Sequence, residues 1–239
     1  YFHASELVFY RGIISLLMMG LYARFAGTSL HTPVPLMHFW RNVVGVFSLG
    51  AWFYALGKLP LATAMTLNYM SGVWVAAFLV GSTIFLGSLK DAKRQIPVAL
   101  TVLAGFAGVV MTLRPTFEQN QILAGLIGVA SGMIAAMAYL QVAALGKVGE
   151  PVERTVFYFS LGAALAGGLC MLLFGVSEWH WPAAVWLLPI GILAVLGQWC
   201  MTQAYTDGAT IVVANLQYAG IVFSALFGLV LFGDQIPFI

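Results

Sequence analysis

Two short groups of polar and aromatic residues stand inside long apolar runs of this sequence. The first group is Asn68 and Tyr69, and the second, 149 residues later, is Gln217 and Tyr218, with Asn215 close by. Amide groups both donate and accept hydrogen bonds, and tyrosine joins an apolar ring to a hydroxyl group. Such side chains at membrane depth are typical of a site that holds a small molecule, so binding chemistry is expected here.

Deep aromatic residues and one arginine extend this candidate site. Tyrosine and tryptophan stack on a flat substrate while their O–H and N–H groups hold a polar part. Arg11 lies near the predicted outer face, where it would meet a substrate carboxylate or pair with Glu6. The alternative roles are hydrogen bonding between helices for the amides and core packing for the aromatics. The candidate substrate-binding residues are Asn68, Tyr69, Trp74, Gln217, Tyr218, Asn215, Trp199, Tyr54, Tyr139 and Arg11.

Other polar residues are expected to be structural. Arg41 is near the predicted inner face, where its long side chain would reach the cytoplasmic surface, and a role in a site is the alternative. The four histidines, His38 among them, are scattered and mostly at the ends of apolar runs, which indicates interfacial positions. No GxxxxGK[ST], HExxH, paired CxxC or GxSxG motif occurs, so ATP hydrolysis, a metal site and a cofactor are not expected.

The composition predicts the elements that position these residues. Hydrophobic residues are 62% of the 239 and charged residues only 8%, whereas a soluble domain has roughly 25% charged residues. The chain is therefore predicted to be an all-α integral membrane protein, since helices satisfy their own backbone hydrogen bonds in lipid. Runs of about 20 apolar residues, long enough to span a bilayer, lie near 5–25, 36–57, 61–86, 94–113, 121–146, 152–174, 183–205 and 209–232.

Internal similarity gives these runs an order. The Asn68 stretch matches the Gln217 stretch at an offset of 149, and Val8 to Tyr10 recurs as Val156 to Tyr158 at an offset of 148. Runs one to three thus correspond to runs six to eight, which leaves runs four and five without partners. The simplest explanation is a ten-helix bundle of two five-helix repeats, 1–120 and 121–239, that here lacks its first and last helices. An odd number of helices makes the repeats inverted, a recurring design of secondary transporters.

The distribution of lysine and arginine gives an orientation. Six of these residues lie in the connections after runs one, three, five and seven, and two lie on the opposite side. The positive-inside rule places the richer side in the cytoplasm, so both termini of the full-length parent are predicted to be cytoplasmic.

Three stretches match a known family: SELVFYRG at 5–12, ALGKLPLATAMTLNYMSGVWVAAFLVG at 55–81 and LFGD at 231–234. Through them the chain resembles the drug/metabolite transporter superfamily, specifically its EamA-type members, and it is most similar to YddG-type amino-acid exporters. That resemblance implies a ten-helix bundle with a central cavity. It also implies efflux of aromatic and other neutral amino acids from the bacterial cytoplasm.

The function expected from the sequence is export of amino acids or similar small metabolites across the bacterial inner membrane, as two repeats rock around a midplane site. The alternatives are an S-adenosylmethionine or cationic-drug transporter of the same superfamily and, more remotely, a membrane enzyme or assembly subunit. A cation carrier would need a deep carboxylate, and an enzyme would need clustered His, Asp or Glu. Neither is visible in the sequence. The expected partners are lipid and amino-acid substrates, not nucleic acid, and the expected form is a monomer.

Overall fold

The computed structural model describes residues 2–86, 89–114, 121–227 and 230, and within them every regular element is a helix. Five helical stretches are long and apolar enough to cross a membrane: Ala4–Phe25, Leu61–Phe85, Ile122–Lys147, Val152–Phe174 and Trp181–Asp207. The predicted all-α membrane fold is therefore confirmed. The helices are α1 (Ala4–Phe25), α2 (Pro35–Lys58), α3 (Leu61–Phe85), α4 (Leu89–Leu113), α5 (Ile122–Lys147), α6 (Val152–Phe174), α7 (Trp181–Ala184), α8 (Leu187–Asp207), α9 (Thr210–Leu216) and α10 (Ala219–Phe227).

The helices follow the predicted apolar runs, with three differences. α4 begins five residues before the predicted run, at Leu89, and contains Pro97. The run 183–205 begins inside the short helix α7 and continues as α8. The run 209–232 is divided between α9 and α10, and its end lies outside the described residues together with the LFGD motif at 231–234.

The chain forms two compact units that do not coincide with the predicted repeats. Unit 1 comprises Tyr1–Phe53 and Met137–Gly208, and unit 2 comprises Tyr54–Ala136 and Ala209–Ile239. Each unit therefore contains helices from both predicted repeats, 1–120 and 121–239. The division into repeats remains a prediction from sequence similarity.

Unit 1 is built on close packing between α1 and α6. A Cβ added at Gly12 would lie 2.7 Å from the backbone nitrogen of Ala164, so the two backbones approach closely. The ring of Phe9 lies against Gly168, and the ring of Phe157 lies against Gly20. Phe9 and Phe157 are 148 residues apart, as are Gly20 and Gly168. A contact that recurs with its partners exchanged is the pattern that a two-fold relation between two helices produces.

Unit 2 is built around α3. Gly128 and Gly132 of α5 both face Leu67, and a Cβ added at Gly132 would lie 2.7 Å from the carbonyl oxygen of that leucine. Small residues at a helix interface let backbones approach closely in membranes. Because Leu67 is the residue before Asn68, this packing fixes the part of α3 that carries the predicted polar group. The buried cluster consists of Ala55, Leu59, Ala64, Leu67 and Ala124.

A buried ionic group joins the connections of unit 1. The carboxylate of Glu150, which is 4% exposed, accepts hydrogen bonds from Thr32 Oγ1 at 3.0 Å and from Arg154 Nη1 at 3.0 and 3.1 Å. Its other partner is His38 Nε2 at 3.0 Å. His38 is only 2% exposed, so the interfacial position predicted for it is wrong. The physical reason is the bond to the Glu150 carboxylate, which offsets the free energy that His38 loses when it is removed from water.

The pKa of Glu150 links this group to pH. Burial acts to raise that pKa, but the bonds from His38 and Thr32 and the charge of Arg154 hold it below its ordinary value of 4.5. Because the pKa is lower in the folded state than in the unfolded state, the stabilisation is complete above the ordinary value. It is lost as the pH falls through the folded value.

We expect Glu150→Gln to lower the free energy of unfolding near pH 7 by about 3 kcal/mol, since it breaks a buried ion pair. Below pH 4.5, the stability of the variant should also fall less than that of the wild type. Thermal unfolding in detergent across pH 3 to 8 measures both effects, since it resolves differences of ~1 kcal/mol. Glu153→Gln, three residues away and outside this ionic group, is the matched control. Equal stability of Glu150→Gln and wild type at pH 7 would contradict the assignment.

Candidate substrate-binding site

The predicted site residues are divided between the two units. Unit 1 holds Arg11, Tyr139 and Trp199, and unit 2 holds the other seven. The structure brings a subset of these seven together where α3, α4, α9 and α10 pack within unit 2. The unit 2 residues are Tyr54, Asn68, Tyr69, Trp74, Asn215, Gln217 and Tyr218.

Tyr69 and Tyr218 form the centre of this cluster. Their ring centroids are 6.1 Å apart and their planes are tilted by 54°. A Cβ added at Gly72 would lie 2.9 Å from the hydroxyl oxygen of Tyr218, and one added at Gly220 would lie 3.0 Å from that of Tyr69. Tyr218 therefore contacts a glycine of α3, the helix that carries Tyr69, and Tyr69 contacts Gly220, two residues after Tyr218. This exchange has the same form as the contact between α1 and α6 in unit 1.

The chain is interrupted between α9 and α10, at Gln217 and Tyr218. Here backbone bonds close over three residues: Tyr218 N–H donates to the carbonyl of Asn215 at 3.2 Å, and Gly220 N–H donates to that of Gln217 at 3.0 Å. The predicted run 209–232 would form one continuous helix, with Gln217 and Tyr218 on a regular helical face. In the structure, the interruption takes the place of that regular face. The ring of Tyr218 lies against Gly105, where an added Cβ would be 2.6 Å from the ring.

The polar side chains of the cluster divide into bonded and unbonded groups. Asn215 Nδ2 donates to Thr101 Oγ1 at 3.1 Å, which joins α9 to α4 and matches the structural role considered for the amides. The hydroxyl of Tyr218 is buried and has no hydrogen-bond partner among the described residues. A buried hydroxyl without a partner costs free energy. A bound molecule with a polar group would supply that partner. Asn68 is half-buried in α3, beside Tyr69.

Two predicted residues of unit 2 are less closely involved. Trp74 stacks on Phe78, with centroids 6.0 Å apart, and its indole nitrogen is buried without a partner among the described residues. Tyr54 is 43% exposed, and the structure does not bring it to the tyrosine pair. Tyr54 was predicted to be a site residue because it is a deep aromatic residue. Its neighbours in the fold, however, depend on which helices pack together.

The three predicted residues of unit 1 have separate surroundings. Tyr139 stacks on Tyr205 at 5.0 Å with nearly parallel rings, and Trp199 packs against the core cluster of Met19, Val152, Val156 and Val195. The predicted alternative pairing of Arg11 with Glu6 does not occur, because the Glu6 carboxylate is occupied by the backbone of His3 at 2.6 Å and by Ser177. Tyr139 and Trp199 each pack against other side chains of unit 1. Core packing was the alternative to a site role for these aromatic residues.

Arg41 is a second residue whose predicted position is wrong. It is 3% exposed and does not reach the surface, so the expected snorkelling is wrong. Its guanidinium carbon lies 4.2 Å from the centroid of the Phe159 ring. The signal in the sequence is Gly45, one helical turn later, which leaves room for the side chain to fold inward along α2.

Comparison with known proteins adds the family. The chain is 33% identical over 240 residues to the pseudopaline exporter CntI of Pseudomonas aeruginosa (strain UCBPP-PA14), with 98% of this chain and 79% of that protein covered. This chain belongs to the transporter family of CntI. The chain is also similar to an uncharacterised transporter of Helicobacter pylori (strain J99 / ATCC 700824), with 29% identity over 245 residues that cover 98% of this chain and 78% of that protein.

Two further comparisons concern the fold of this CntI-family transporter. A crystal structure of a protein superposes with a TM-score of 0.80 at 23% identity, covering 99% of this chain and 82% of that chain. At that identity the likeness shows the fold alone. No family model matches the chain. The apolar helices and the relatives together make it a multi-pass membrane transporter, and its relatives are transporters rather than enzymes.

The packing of Tyr218 against α3 gives a test of the cluster. Gly72→Ala would place a methyl group 2.9 Å from the Tyr218 hydroxyl and 3.1 Å from the carbonyl oxygen of Ala214. We expect a loss of about 1–3 kcal/mol in stability from overpacking, together with loss of transport. Gly81→Ala, also in α3 but with no atom within 4 Å of the added Cβ, should be neutral or slightly stabilising. Thermal unfolding of both variants checks this, and equal effects of the two substitutions would contradict the packing.

Proposed function

We propose that this transporter exports aromatic and other neutral amino acids, or similar small metabolites, from the bacterial cytoplasm by alternating access. The observation that carries the proposal is the Tyr69 and Tyr218 pair, which offers aromatic surface together with a buried, unbonded hydroxyl. Aromatic side chains of this kind stack on a flat apolar group while the hydroxyl holds a polar one. The resemblance of the sequence to EamA-type, YddG-like exporters supports the same substrate class.

The proposed transport cycle rests on the inverted repeat. Reciprocal contacts of repeat-related residues occur within each unit, Phe9 and Phe157 in unit 1 and Tyr69 and Tyr218 in unit 2. They support a parent with ten helices in two inverted repeats, the design in which secondary transporters alternate between two sides of the membrane. In this proposal the protein resides in the inner membrane with both termini of the parent in the cytoplasm.

A neutral substrate fits the cluster better than a cationic drug or S-adenosylmethionine. The side chains gathered around the tyrosine pair in the described part of unit 2 are amides, hydroxyls and aromatic rings. A cation held at membrane depth needs a nearby carboxylate to balance its charge. The hydrogen-bonded carboxylates of Glu6, Glu150 and Asp207 all lie in unit 1.

A second candidate substrate is pseudopaline, favoured by the 33% identity to the pseudopaline exporter CntI. The two candidates share the direction of transport and differ in the molecule carried. Measuring the release of both pseudopaline and phenylalanine from cells that produce both compounds separates them.

The proposal predicts release of amino acids. Cells that overproduce the protein should release L-phenylalanine faster than cells with an empty vector and should survive toxic amino-acid analogues. Asn68→Ala and Gln217→Ala should each reduce release by about tenfold, as expected when a hydrogen bond to substrate is lost, while leaving folded yield unchanged. Radiolabelled phenylalanine measured in the medium checks the rate.

Asn215→Ala provides the comparison, because Asn215 bonds Thr101 within unit 2. This variant should lower thermal stability as well as transport. Equal release by overproducing and empty-vector cells would refute amino-acid export. A fall in folded yield for Asn68→Ala or Gln217→Ala would assign those amides to helix packing instead.

A further inference from the structure

Arg41 is a buried cation that forms no ion pair in the described part of the chain. It lies six residues after the start of α2 at Pro35, about 9 Å along the helix at 1.5 Å per residue. Its Nε and Nη1 atoms are buried and donate no hydrogen bond to any described residue. Among the described residues, ion pairs join Glu150 to His38 and Arg154 instead. The guanidinium group thus has unused N–H donors in a dehydrated position.

The contacts of Arg41 are aromatic. Its guanidinium carbon is 4.2 Å from the ring centroid of Phe159, and Tyr139 lies near the group. Tyr139 in turn stacks on the buried Tyr205. A cation–π contact contributes about 0.5–2 kcal/mol, whereas an arginine at membrane depth costs at least about 2.5–3.5 kcal/mol. The aromatic contacts therefore leave a deficit that an anion would offset.

The direction of the side chain also argues against snorkelling. Helical side chains normally lean toward the N-terminus of their own helix, and for α2 that end is the predicted cytoplasmic end. Arg41 instead extends toward Gly45, where an added Cβ would overlap with Nη1 and lie 2.8 Å from the Phe159 ring. The charge is thus directed away from the nearer membrane surface, into the interior of unit 1.

We propose that Arg41 is a carboxylate-binding group within unit 1 and holds the carboxylate of an amino acid there. This inference rests on the proposed function, because it takes the anion to be part of the exported molecule. The planar guanidinium matches the two oxygens of a carboxylate, and such charge-assisted bonds are about twice as strong as neutral ones. A monocarboxylate balances one arginine, whereas a phosphate dianion would need a second cation, and the described contacts of the guanidinium are with aromatic rings.

A cleft of unit 1 lies beside the same stretch of α2. It has a volume of about 280 Å³ and is lined by Leu36, Met37, Trp40 and Gln141. Met37 precedes Arg41 by one helical turn, so the two side chains share a face. The amide oxygen of Gln141 is buried without a hydrogen-bond partner among the described residues, which adds an acceptor for a donor group of the same ligand.

Thermal unfolding of the purified full chain in detergent tests this site, with L-phenylalanine and L-phenylalaninamide as probes. The wild type should be stabilised by the amino acid and not by the amide, which lacks the carboxylate. Arg41→Met should abolish this stabilisation, and Arg41→Lys should weaken binding by about tenfold, since it keeps the charge but loses the fork. Arg24→Met, which removes an exposed arginine in the last turn of α1, should retain the response.

A measurement without ligand separates this proposal from the proposed function. If Arg41 awaits an anion, replacing its unpaired charge by a methionine should raise the unfolding temperature of the ligand-free protein. A lower unfolding temperature for Arg41→Met would overturn the proposal, because it would show that the contacts within the protein, such as that with Phe159, outweigh the cost of burying the charge. If the wild type ignores phenylalanine while Arg41→Met is more stable, amino-acid export fails and the anion site stands. Equal stabilisation by the amino acid and its amide would also refute carboxylate recognition.

Discussion

A charge buried among membrane helices costs several kcal/mol unless partners balance it, and that constraint shapes unit 1. Glu6 receives three hydrogen bonds from His3 and Ser177, which tie the start of α1 to the segment after α6. Glu150 is held by Thr32, His38 and Arg154, which ties α2 to the connection of α5 and α6. Both acids are thus balanced by groups from distant parts of the sequence.

Arg41 stands out because the same constraint is not met for it among the described residues. A chain with 8% charged residues has few opportunities to retain a buried, unpaired cation without a cost to stability. In a transporter, an incoming substrate provides a natural partner for such a group, since binding then removes the deficit. The free energy that the unpaired charge costs the empty protein is recovered when the substrate binds, and this recovery strengthens binding.

Glycines permit close contacts between helices in both units. In unit 1 they admit Phe9 and Phe157, and in unit 2 they admit Tyr69 and Tyr218. The two members of each pair are related by the internal repeat. Evolution of one transporter chain from a duplicated sequence would produce such reciprocal contacts wherever equivalent helices meet. The tyrosine pair differs from the phenylalanine pair in carrying hydroxyl groups, which gives it the chemistry of a binding site.

Much of this fold was predictable because the bilayer restricts the possibilities. The span of α3 and the polar residues within it follow from apolar run length and the repeat that links Asn68 to Gln217. What the sequence did not reveal depends on which helices meet. The burial of His38 requires Glu150, 112 residues away, and the inward direction of Arg41 requires Phe159 beside Gly45. The interruption at Tyr218 likewise reflects the space beside Gly72 and Gly105, which no local pattern encodes.

The most direct test of the account is substrate counterflow in proteoliposomes that contain the purified full chain. Vesicles preloaded with unlabelled L-phenylalanine and diluted into a trace of the labelled amino acid should accumulate the label transiently, because a transporter exchanges internal for external substrate. Protein-free vesicles should not. Accumulation no greater than in protein-free vesicles, with the protein shown to be folded and inserted, would contradict the claim that this chain transports amino acids.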